Sequence, residues 1–151
     1  MSHPRRHPKY SIKRRGVAGA VPGTVTADPT APQPEITQIT YGPQELSERI
    51  LPDLRTLAKS DGKAAVTWIN VDGLGNADVI QQLGQKFGLH PLALEDTINT
   101  HQRAKADDYQ EVLYVVMRMV QGPPLATEQI SFYVGRNFLI QQYLGEGDYQ
   151  A

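Results

Sequence analysis

Two adjacent carboxylates, Glu95 and Asp96, are the side chains of this sequence best suited to chemistry, because they stand side by side in a stretch dense with structural signals, FGLHPLALEDTINTHQR at residues 87–103. Oxygen donors in that arrangement suit a hard cation. Magnesium takes an octahedron of oxygens and gives up its water reluctantly, so two carboxylates could hold it through water but could not cage it. Such a site is weak unless another chain completes it. The competing possibility is a solvated helix edge, and the residues alone leave both open. Other chemistries find no support. The absence of cysteine excludes disulfides, thiolate nucleophiles and cysteine-ligated zinc. His90 and His101 are eleven apart with a helical segment between them, and His3 and His7, although four apart, lie where no helix would align them, so neither pair reads as a metal site. The glycines flanking Leu74 lack the third glycine and the following acidic residue of a dinucleotide fingerprint. No catalytic residues are assigned, and enzyme activity is not expected.

The acidic pair needs a helix to carry it, and the flanking residues supply both its ends. Gly88 suits the left-handed close of one helix, His90 suits the N-cap of the next, and Pro91 fits the first turn of the latter. Over residues 91–99, Leu94 and Ile98 share a face while Leu92 lies to the side. Neighbouring helical positions diverge by about 100°, so at least one of Glu95 and Asp96 must look away from the core. His101, Gln102 and Arg103 follow the helix end, where donors satisfy the last carbonyls, and that role is expected of them. Asp107 and Asp108 are expected to be solvated and to add to the negative field around the pair.

The preceding helix is predicted from an N-cap at Asn76 to Phe87, with Val79, Ile80, Leu83 and Phe87 as its apolar stripe. Strands are predicted at residues 35–41 and 64–71, and a central strand with both faces covered at 110–120. A hairpin follows at 127–134 and 138–143, turning on Gly135-Arg136-Asn137. Leu46, Ile50, Leu54 and Leu57 at spacings of four, four and three predict a further helix over 43–59, kinked at Pro52, with a turn at Asp61-Gly62. The fold class is therefore α/β, a mixed β-sheet covered by helices as an α/β/α sandwich.

Charge divides the chain. Residues 1–34 carry six Lys or Arg against Asp28 alone and hold six of the eleven prolines, which predicts a flexible basic arm. Residues 35–151 form one acidic α/β domain with nine basic and fifteen acidic residues, a balance that favours cations over nucleic acid. No run of about 18 apolar residues is present to form a membrane-spanning helix.

The string His90-Pro91-Leu92-Ala93-Leu94-Glu95-Asp96, followed by Asn99, His101-Gln102-Arg103 and Lys105, resembles the signature of the cytoplasmic domain of CorA-type magnesium and cobalt transport proteins. Trp68-Ile69-Asn70-Val71 and Glu128-Gln129-Ile130-Ser131 resemble two further landmarks of that family in the same order, and Ala104 stands where the family has Pro. The resemblance covers roughly residues 64–142. It implies the N-terminal, cation-sensing domain of a homopentamer on the cytoplasmic face of the inner membrane. The stalk, the two pore-forming membrane helices and the Gly-Met-Asn motif of that family are absent from this sequence. It further implies that Glu95 and Asp96 are half of a regulatory intersubunit site for Mg2+ or Co2+, the ions such proteins also transport. Within the arm, Arg15-Gly16 and Pro22-Gly23-Thr24-Val25 resemble the family's entry into its first strand, and this resemblance alone implies order beginning near residue 22. A related zinc transporter domain and a stand-alone scaffold or nucleic-acid binder with a basic tail are the alternative expectations; nucleic acid is not expected as a partner.

Overall fold

The computed structural model describes residues 19–58, 65–122 and 126–145. Seven strands make one mixed sheet: β1 (Glu35–Gly42), β2 (Glu45–Leu51), β3 (Val66–Asp72), β4 (Lys105–Asp108), β5 (Leu113–Gln121), β6 (Ala126–Val134) and β7 (Phe138–Tyr143). They lie in the order β2-β1-β3-β7-β6-β5-β4. Every neighbouring pair is antiparallel except β3 with β7, which run parallel with Ile69 opposite Ile140. Helices α1 (Ala77–Phe87) and α2 (Pro91–Ile98) connect β3 to β4.

The predicted caps are present. Asn76 Oδ1 accepts from the amides of Asp78 and Val79, Gly88 closes α1 in the left-handed region at φ 66°, and His90 Nδ1 accepts from Leu92 N–H with Pro91 next in line. Ile80, Leu83 and Phe87 of α1, with Ala93, Leu94 and Ile98 of α2, bury themselves in one core. The opposing sheet residues are Ile36, Ile69, Val71, Tyr114, Val116, Tyr133 and Ile140, all on one face by register. Both helices therefore cover the same side. On the other side, Tyr41, Leu46, Ile50, Leu113, Met117 and Val134 are exposed. Among the described residues the sheet thus has one helical layer, not the two of the predicted sandwich.

Two local predictions fail. Residues 45–51 form strand β2, not a helix, because Pro43-Gln44 turns the chain back so that Glu45 pairs with Gly42 and Leu51 with Ile36. Leu46 and Ile50 are 81% and 66% exposed, and only a short 3-10 turn (Leu54–Thr56) carries the helical pattern onward, where Leu54 and Leu57 are buried. The expected turn at Asp61-Gly62 lies outside the described residues. The apolar run predicted as a central strand is β5, second from the edge, and it alternates, with Tyr114 and Val116 inward and Leu113 and Met117 outward. One of its faces is open rather than both being covered.

Residues 19–34, assigned by composition to the arm, cross the body as a strap. Val25 is buried in the core, Ala27 and Ala31 pack against it, and Gly75 N–H donates to Pro32 O at 2.8 Å. Gly73, at φ 102°, lets the strap approach so closely that a Cβ there would lie 2.6 Å from Gln33 O. Residues 1–18, with the whole Arg/Lys cluster, lie outside the described residues.

Candidate cation site

Helix α2 is fixed to the sheet by buried hydroxyl groups. Thr97 Oγ1 lies 2.6 Å from the Tyr133 hydroxyl and 3.2 Å from that of Tyr114. The hydroxyls of Thr97 and Tyr133 both reach Ala93 O, at 3.0 and 2.9 Å, and Tyr114 extends the chain to Ser131. Burial raises the pKa of both tyrosines, so these groups stay neutral and able to donate. Gln129 continues the network to the helix end, where its Nε2 donates to Asp96 O and its Oε1 accepts from Gln102 N–H.

This fixing decides where the acidic side chains go. Leu94, Thr97 and Ile98 face inward, which leaves Glu95 and Asp96 half-buried at the helix edge. They do not act on a common partner. Glu95 Oε2 accepts from Gly23 N–H of the strap at 2.6 Å, and Gly23, at φ 86°, sits so close to Pro91 that a Cβ would lie 2.8 Å from that ring. Asp96 Oδ2 is 2.6 Å from Lys105 Nζ on β4, which also reaches Asp107 Oδ2 at 2.7 Å and lies 5.7 Å from the Tyr114 ring centroid. Burial works against the Lys105 ammonium, yet hydrogen bonds and charge from Asp107 and Asp96 outweigh it and raise its pKa above the ordinary lysine value.

As ligands for a dication, the pair is incomplete. No group of three His, Asp or Glu side chains converges on a metal-sized point among the described residues. Two carboxylates could contribute two of six oxygens, leaving water or another chain to supply the rest.

Other predicted residues fall differently. His90 stacks on Tyr109 with ring centroids 4.4 Å apart, consistent with capping rather than ligation. The carbonyls at the end of α2 are capped by Gln129 at Asp96 and by Arg118 at Thr100, not by the side chains of His101, Gln102 and Arg103 as expected. Asp108 accepts from Gln110 N–H, whereas Asp107 joins the cluster through Lys105. Sequence reasoning missed Lys105, Gln129 and Gly23 as partners of this region, although Lys105 and Gln129 both stand within the motif strings.

Residues 63–147 match the profile of the family described as CorA-like Mg2+ transporter protein. The cobalt/magnesium transport protein CorA of Thermotoga maritima is 31% identical over 118 residues, covering 74% of this chain and 34% of that protein. The chain thus spans about a third of that relative's length. Two solved structures share the fold: full-length CmaX, with a TM-score of 0.57 at 19% identity over 74% of this chain and 35% of that one, and the complete CorA magnesium transporter of Methanocaldococcus jannaschii, with 0.53 at 13% over 70% and 31%. No helix among the described residues is long and apolar enough to cross a membrane. With a family profile matching more than half of its length, this chain belongs to the CorA-like Mg2+ transporter family.

Proposed function

We propose that the chain is the cation-sensing domain of a CorA-like transporter of Mg2+ or Co2+, and that Glu95 and Asp96 contribute half of a regulatory site. The observation that carries this is the placement of two carboxylates on the edge of a helix bolted rigidly to the sheet, with no third donor of their own. A half-site of this kind gains an octahedron only where a neighbouring subunit adds oxygens, so a bound dication favours the assembled state by mass action. The assembly would be a homopentamer lying at the cytoplasmic face of the inner membrane, with pore segments supplied by sequence beyond this domain. The open apolar face of the sheet fits the same picture, since helices from elsewhere in such a protein would complete the α/β/α sandwich over Leu46, Ile50, Leu113 and Met117.

The test is the E95Q/D96N double variant in a full-length protein. Gln and Asn keep acceptors for Gly23 N–H and Lys105 while removing both charges, so the fold should survive. Transport that normally shuts down at high Mg2+ should then continue. Closure at the parent's Mg2+ concentration would reduce the pair to a structural helix edge.

A further inference from the structure

The acidic cluster already holds a cation, and that cation is covalently attached. Lys105 Nζ contacts Asp96 Oδ2 at 2.6 Å and Asp107 Oδ2 at 2.7 Å, both within salt-bridge range, and the ring of Tyr114 lies beneath it. The lysine stem is anchored on β4 at the position paired with Val116, so the ammonium cannot drift away without losing both partners. Its side chain is 31% exposed and that of Asp96 is 24% exposed, which places the pair at a boundary that ions can reach.

We propose that Lys105 is a tethered competitor that sets the affinity of Asp96 for divalent cations, an inference that rests on Asp96 being part of the cation site. A dication approaching Asp96 must displace the ammonium or tolerate a positive charge a few ångströms away. Either course weakens binding. The repulsion between charges of +2 and +1 at about 5 Å, with solvent screening near that of bulk water, corresponds to roughly a tenfold loss of affinity. Asp107 strengthens the device as a second carboxylate that holds the ammonium in place. The affinity of the acidic pair is thereby tuned within the chain, by a residue on a different element from the carboxylates it controls.

The experiment is an Mg2+ titration by calorimetry of the chain and its K105M, K105R and D96N variants, with fold monitored by circular dichroism. K105M keeps the aliphatic stem over Tyr114 and should bind Mg2+ about tenfold more tightly than the parent, while K105R should match the parent. The K105M gain should vanish in K105M/D96N. A second readout needs no charge removal: in the parent, the side-chain 15N signal of Lys105, assigned by its loss in K105R, should shift saturably with Mg2+. Affinity of K105M within twofold of the parent, together with an unmoved Lys105 signal, would overturn the proposal while leaving Asp96 as a ligand if D96N still weakens binding. Binding indifferent to D96N in every background would overturn the site assignment and this inference with it.

Discussion

Replacing Tyr133 by Phe should loosen helix α2 and lower the stability of the whole domain. Tyr133 is fully buried, and its hydroxyl lies 2.6 Å from Thr97 Oγ1 and 2.9 Å from Ala93 O. The substitution preserves the ring and its packing, so it removes hydrogen bonds with little cavity cost. Thr97 still reaches Ala93 O and Tyr114, which means that no buried group is wholly orphaned. Two lost bonds at about 1 kcal/mol each give a loss near 2 kcal/mol. In urea, with a slope of about 2 kcal/mol/M, the unfolding midpoint should fall by roughly 1 M at an unchanged slope. T97V removes a bond that Y133F also removes, so the double variant should cost about 1 kcal/mol less than the sum of the singles. A Y133F protein within about 0.5 kcal/mol of the parent, or a strictly additive double, would refute the role assigned to the hydroxyl cluster.

Two further outcomes test other parts of the structure. G73A should destabilise by about 3 kcal/mol and open residues 19–34 to proteases, because the new Cβ would meet Gln33 O at 2.6 Å and Pro32 O at 2.7 Å while φ stays at 102°; unchanged protease resistance would argue against the strap. Asp72 is half-buried, and burial, with smaller contributions from Glu128 and Glu35, raises its carboxyl pKa despite the hydrogen bond from Tyr143. Its charged form is therefore disfavoured in the folded state. Relative to the parent, D72N should be more stable at neutral pH, and the gap should close as pH falls through the raised pKa toward the ordinary value of 3.8. A gap that widens on acidification, measured by thermal unfolding at several pH values, would reverse the assigned sign.

The helices and their caps were legible in the sequence because their signals are local: Asn76, Gly88, His90 and Pro91 each act on amides or carbonyls within a few residues. Strand β2 was not, because a spacing of four is ambiguous. Leu46 and Ile50 share a face in a helix, but an even spacing also places them on one face of a strand. Strand β4 was missed because the sequence KADD has almost nothing to bury; its register to β5 defines it. The outward side of β5 is nearly as apolar as its inward side, which hid the alternation that the open sheet face makes plain. At the candidate site, the carboxylates were visible by type and adjacency. Their present partners, Gly23 at a separation of 72 residues and Lys105 on another element, are products of tertiary folding that no local pattern encodes.

The parallel pairing of β3 with β7 has a consequence during synthesis. Strand β3 pairs with β1 on one side at once, but its other side waits for β7, whose Tyr143 follows Asp72 by 71 residues. At about 5–20 residues per second, a ribosome leaves that edge unpaired for roughly 4–14 s. During the interval Val66–Asp72 presents free backbone amides and carbonyls beside Ile69 and Val71, side chains that become fully buried in the finished sheet. Nascent chains on crowded polysomes are therefore most vulnerable to cross-pairing at this one strand, and any early stop before residue 138 makes that vulnerability permanent.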